Sequence, residues 1–154
     1  MIRRLMSSSV AQKIEYRFDA SKLRKPDWSS GRRPSVLVSC GSFSPITYLH
    51  LRLFEMARDE LEQQHNEDVL GGFASPVADA YGKRGLAPAP HRCAMVERAL
   101  ESSSWVALDS YEASLDHWTR TRPSLEHFQE QVNAHCGKGP EGQTVRIRLI
   151  CGSG

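Results

Sequence analysis

Thr47 and His50 stand three residues apart at the start of a helix-patterned run, directly behind the glycine turn Gly41-Ser-Phe-Ser-Pro45. Backbone N–H groups in such a turn, together with the positive end of a helix, favour a phosphate. An imidazole in the first helical turn would supply a further donor to the same anion. Lys83 adds a cation from a later polar loop, with Arg84 beside it. An ammonium there would act on phosphates as a point charge, unless both cations are only solvated loop charges. Trp118 stands further on. An indole face attracts a flat cationic ring, although a tryptophan is also commonly a core residue. No paired nucleophile and base stands out, so the chemistry suggested is phosphate binding rather than covalent catalysis.

The elements that must hold these residues are legible around them. Val36 to Cys40 is a short apolar run between Pro34 and Gly41, which predicts a buried strand. Leu49, Leu53, Met56, Ala57 and Leu61 recur at helical spacing, with Arg52, Glu55, Asp59 and Glu62 mostly opposite. Val69 onward predicts a second strand ending near Ser75-Pro76, followed by a loop. Pro90 suits the first turn of a helix whose buried stripe is read as Ala94, Met95 and Ala99. Trp105 to Asp109 reads as a third strand. Arg122 to Val132 reads as a helix with Leu125, Phe128 and Val132 on one side, and Val145 to Ile150 as a fourth strand. Residues 133 to 143 hold three glycines and Pro140 and are expected to form a flexible loop. Alternating strands and helices imply an α/β fold with a parallel sheet and right-handed crossovers.

The turn and helix start, Gly41-Ser-Phe-Ser-Pro-Ile-Thr-Tyr-Leu-His-Leu-Arg52, resemble the signature of the eukaryotic nicotinamide/nicotinate mononucleotide adenylyltransferases, Gly-Ser-Phe-x-Pro-x-Thr-x-x-His-Leu-Arg. The similarity continues through Ser75-Pro-Val, Asp79-Ala-Tyr, Lys83, Gly85-Leu, His91-Arg with Met95, and Trp118-x-x-Thr121. Gly82 stands where that family has lysine, and Tyr111 where it has tryptophan before Glu112. Another enzyme of the cytidylyltransferase-like superfamily would share the turn without requiring Ser75-Pro-Val or the Trp-x-x-Thr pair. The resemblance implies a Rossmann-like nucleotidyltransferase fold and a role in NAD biosynthesis. A mononucleotide and ATP would give NAD or deamido-NAD and pyrophosphate. It implies His50 and Lys83 as the catalytic pair, and Gly41, Ser42, Phe43, Thr47, His50, Lys83 and Gly152 around the ATP phosphates. Gly41, Ser42, Trp118 and Thr121 would meet the mononucleotide, with Trp118 stacking on its base and Thr121 near its carboxamide. Mg²⁺ is expected to arrive with ATP rather than in a protein cage. The match stops short of the family's later Ile-Ser-x-Thr-x-x-Arg motif, and Gly154 stands where the relatives carry an Asp. The expectation is a truncated form with weak or no turnover; the alternative is a non-catalytic form acting through nucleotide or subunit binding.

Composition sets the remaining bounds. The chain has 154 residues, with 40% hydrophobic and 25% charged, enough for one cored domain. No apolar run approaches the roughly 20 residues of a membrane helix. A net charge of +2 carries no global nucleic-acid signal. Residues 1–33 concentrate nine Lys and Arg against three acids. They are read as a disordered basic arm ahead of a domain at 34–154, or as a mitochondrial targeting segment. Otherwise a cytoplasmic or nuclear place is expected. Four cysteines lie at 40, 93, 136 and 151 without a Cys-x-x-Cys pair, so free thiols are expected and a zinc site is not. A homo-oligomer is left open.

Overall fold

The computed structural model describes residues 13–151. Four parallel strands form one sheet in the order β3-β2-β1-β4: β1 is Arg33–Gly41, β2 Glu67–Pro76, β3 Val106–Leu108 and β4 Arg146–Leu149. Helices α1 (Tyr48–Gln64), α2 (Ala89–Ala99), α3 (Tyr111–Ser114) and α4 (Thr121–Cys136) join them. Alternate residues of β1 divide the core. Leu37 packs with Phe54 of α1 and Val96 of α2. Val36 and Val38 pack on the other face with Phe128 and Val132 of α4. The strand order runs outward from β1 through β2 to β3 and then returns to β4 on the far side. In sheets of this kind ligands settle beyond the carboxyl ends of the strands, near the point of reversal.

Two helical faces differ from the sequence expectation. In α1, Leu49 and Met56 are exposed, and Phe54 is the buried anchor, with Leu51, Ala57 and Leu61 partly covered. In α2, Met95 and Ala94 face solvent, while Ala89, Arg92, Cys93 and Val96 are buried. The buried stripe contains an arginine, and a reading of apolar spacing rotates the helix away from it. Helix α4 meets its expected face, with Phe128 and Val132 fully buried. It also runs on to Cys136 and takes in the first residues of the expected 133–143 loop.

The expected disordered arm is corrected over its described part, residues 13–32. Ile14, Tyr16, Phe18 and Ala20 turn toward the protein while the odd positions between them are exposed, so an extended stretch lies on the domain. The Phe18 and Phe73 ring centroids are 5.1 Å apart. The Arg24 amide donates to the Leu70 carbonyl, and Lys22 Nζ donates to the carbonyls of Leu100 and Val106. Gly71 lets Leu23 press on the sheet, since a Cβ there would meet Leu23 Cδ1 at 3.2 Å. Residues 1–12 lie outside the described residues.

At the amino end of the sheet, Glu67 is 1% exposed and accepts from Arg146 Nη1 at 3.2 Å and from the Arg148 guanidinium. Arg32 Nη2 donates to the backbone carbonyls of Glu62 and Glu67. This cluster pins β4, which pairs only with β1 among the described strands. Replacing Glu67 with Ala would leave both arginines without their carboxylate. A loss of about 3 kcal/mol is expected in urea unfolding, at the low end for a broken buried pair because the arginines are partly exposed. Hydrogen exchange should locate the earliest loosening in β4.

Candidate functional site

Strand β1 ends at Gly41, and the chain turns sharply before α1. Phe43 takes a left-handed backbone conformation (φ 45°), uncommon for a non-glycine residue, and buries its ring. The ring centroids of Phe43 and His50 lie 5.1 Å apart, edge to face. The Thr47 amide donates to His50 Nδ1 at 2.9 Å, and the Thr47 hydroxyl lies 2.9 Å from the same nitrogen. Because Nδ1 accepts from a backbone N–H, the neutral ring carries its proton on Nε2. His50 is therefore held against the turn through Nδ1, with Nε2 as its other ring nitrogen. Among the described residues, Ser42, Phe43 and Ser44 give no backbone amide hydrogen bond to the protein.

On the cleft side of this turn lies a hollow of about 240 Å³ at the carboxyl ends of β1 and β2. Gly41, Ser42, Lys83, Trp118 and Thr121 all border it, so five predicted site residues are brought together. Cys40, Val77, Tyr81, Glu112 and Thr119 complete its walls. Trp118 is 47% exposed with its ring tilted toward Tyr81, the centroids 6.0 Å apart. It is therefore not a core aromatic. Thr121 is the first residue of α4, so that helix presents its N-terminal end at the same rim. Phe43, Thr47 and His50 do not line this hollow; Thr47 borders a separate one with Leu51 and Ser102. Gly152 lies outside the described residues.

Sequence reasoning assigned no part to Arg92, the residue that builds the cleft wall. Its side chain is fully buried and its guanidinium spans four groups. Nε donates to the Ala87 carbonyl at 2.7 Å, and Nη1 to the Ser42 carbonyl at 2.9 Å. Nη2 donates to the Val77 carbonyl at 2.7 Å and to Asp79 Oδ1 at 3.1 Å. Asp79 Oδ1 also accepts from the Ala89 amide and so caps α2. The 41–44 turn and the 77–87 loop are thus tied through this side chain, alongside two direct bonds, from the Ala87 amide to the Ser44 hydroxyl at 3.1 Å and from the Val77 amide to the Gly41 carbonyl at 2.9 Å.

Two buried carboxyls stand here, Glu112 on the cleft wall and Asp109 behind it. Asp109 accepts from the Tyr16 hydroxyl at 3.0 Å and the Tyr111 amide at 3.2 Å. Burial nonetheless pushes its carboxyl up to about 6. His127 Nε2 lies 2.8 Å from the Tyr16 oxygen, and its ring stacks on Tyr111 at 3.6 Å. Burial holds the His127 imidazole below its ordinary range. Glu112 is 4% exposed, and burial likewise raises it, against hydrogen bonds from Cys40, Ser124 and Ser75. The Cys40 thiol is pushed far up by burial, with Glu112 adding to the shift, so it is no nucleophile.

A parallel α/β sheet with open turn amides at a helix start, and a cation and an aromatic ring across the cleft, defines a Rossmann-like nucleotidyltransferase domain. A family profile described as cytidylyltransferase-like matches residues 38–135, and the chain belongs to that family. Among named relatives it is similar to nicotinamide/nicotinic acid mononucleotide adenylyltransferase 2 of Saccharomyces cerevisiae. The two are 45% identical over 143 residues, which cover 90% of this chain and 36% of that protein. The nicotinamide/nicotinic acid mononucleotide adenylyltransferase of Schizosaccharomyces pombe is 45% identical over 137 residues, 88% of this chain and 37% of that protein. The nicotinamide-nucleotide adenylyltransferase of Drosophila melanogaster is 47% identical over 139 residues, 77% and 36% of the two chains. The chain thus spans a little over a third of the length of these relatives.

Arg92→Lys keeps a positive charge, but a single ammonium cannot reach Ala87, Ser42 and Val77 together. The variant should lose about 2–3 kcal/mol in urea unfolding, because buried carbonyls are left without donors. Amide exchange should quicken in both the 41–44 turn and the 77–87 loop; quickening in only one would show that Arg92 does not couple them.

Proposed function

We propose that this chain forms the mononucleotide side of a nicotinamide/nicotinate mononucleotide adenylyltransferase site. The supporting observation is the gathering of Gly41, Ser42, Lys83, Trp118 and Thr121 around one cleft beside the amide-bearing turn. In the reaction, an oxygen of the mononucleotide 5′-phosphate attacks the α-phosphorus of ATP in line. The new P–O bond forms as the bond to pyrophosphate breaks, which gives NAD or deamido-NAD. Such chemistry needs placement and charge neutralisation rather than a covalent intermediate.

The chain's own groups suit that task. Ser42 and the amides after it are donors for phosphate oxygens, and Lys83 adds a cation. His50 offers an Nε2–H whose tautomer the Thr47 amide sets. The Trp118 indole offers a face for the pyridinium ring. The donors at the turn are N–H groups rather than oxygen ligands, so the site fits phosphate. Mg²⁺ would come bound to the ATP phosphates and neutralise charge there.

A second reading, a non-catalytic nucleotide-binding or subunit-binding form, draws on β4. Its outer edge pairs with no strand among the described residues and could take one from a partner, including a second copy.

Titration with nicotinamide mononucleotide, followed by calorimetry, tests the pocket. Trp118→Ala should weaken binding by about tenfold, the scale of one lost stacking contact; equal affinity would remove Trp118 from the site. A coupled assay for NAD then measures turnover separately.

A further inference from the structure

Glu112 has no part in the scheme above, yet among the described residues it is the one acidic side chain bordering the cleft, and Lys83 is the one basic side chain there. It sits at the carboxyl end of the sheet just past β3, only 4% exposed. Its hydrogen-bond partners are the Cys40 thiol on β1, the Ser75 hydroxyl on β2 at 3.4 Å, and the Ser124 hydroxyl on α4, and α2 packs against its helix with the buried Cys93. Asp109, at the end of β3, is the nearby like charge. None of these is a cation. Hydroxyl hydrogens rotate, so Ser75 and Ser124 can donate to a carboxylate or accept from a carboxylic acid. The surroundings of Glu112 therefore accept either protonation state. Burial, which raises this carboxyl, brings the two states closer in energy.

We propose that Glu112 is the group through which the cleft responds to the charge on the base: the amide mononucleotide binds over ionised Glu112, and the acid mononucleotide binds with a proton taken up there. This inference rests on the mononucleotide reading of the cleft. The pyridinium ring of the amide is a cation with a neutral substituent and is attracted to a carboxylate. The acid form adds a carboxylate of its own, which a second buried carboxylate would repel. A proton from solvent on Glu112 removes the conflict, with no bond broken in the ligand. The same cleft can then take both bases, and their relative affinity depends on pH.

Affinities of the full chain for nicotinamide mononucleotide and nicotinic acid mononucleotide would be measured between pH 5 and pH 8. The phosphate titrates in both ligands and cancels in the ratio of their Kd values. That ratio, acid over amide, should rise with pH by about tenfold, the factor that one pKa unit of coupling gives. In Glu112→Gln it should be flat. In Ser124→Ala, which takes one donor from the ionised carboxyl, the midpoint of the rise should move to higher pH. A flat ratio in the unaltered protein overturns the proposal. So does an unchanged rise in Glu112→Gln, which would hand the effect to Asp109. If the amide mononucleotide binds and the ratio is flat, only this inference falls; if neither ligand binds, the reading of the cleft falls as well.

Discussion

The cleft depends on one buried guanidinium. Arg92 holds the Ser42, Val77 and Ala87 carbonyls and the Asp79 carboxylate at once. These groups come from two loops more than thirty residues apart. Carbonyl oxygens turned inward to a cation leave their peptide N–H groups turned the other way. The turn beginning at Gly41 can thus keep amides open for an anion without collapsing onto itself. A lysine or a hydrophobic residue could fill the volume, but neither could reach several acceptors in fixed directions.

This explains which parts of the molecule were legible in the sequence. The strand, glycine turn and helix start are local, and each residue's role there follows from neighbours within a turn or two. Gly41 and Ser42 were readable from the turn itself, whereas Lys83, Trp118 and Thr121 were readable only through the family resemblance. Their convergence needed the fold, yet the order of elements already implied it. The faces of α1 and α2 were read wrongly for a specific reason. Periodicity arguments treat arginine as solvent-facing, and in α2 the buried stripe runs through Arg92. In α1, Leu49 and Met56 offered an apolar stripe one step away from the true one anchored by Phe54.

The stretch before β1 was the largest omission, although its signal was present. Ile14-Glu-Tyr-Arg-Phe-Asp-Ala20 alternates with a period of two, the pattern of an extended segment lying on a surface. The basic composition of the surrounding residues obscured it. What the alternation could not reveal is the partner. Tyr16 meets Asp109 and His127, 93 and 111 positions away. Pairings over such separations leave no trace in a single sequence, and the buried polar groups that depend on them were unreadable for the same reason.

The three most buried carboxyls divide the sheet into a structural end and a reactive one. Glu67, at the amino end, has two arginines within reach and resolves its charge inside the fold. Asp109 and Glu112, at the carboxyl end, receive only hydroxyl, thiol and amide donors among the described residues, and burial raises both. A fold selected for stability alone would gain from a cation beside them, because an unpaired buried carboxylate is costly. The nearest cation on the cleft, Lys83, sits on an exposed loop across it instead. The electrostatic imbalance is therefore confined to the place where the open turn amides, the α4 N-terminus and Trp118 also converge. Charge left unsettled by the protein is charge that a bound ligand can settle.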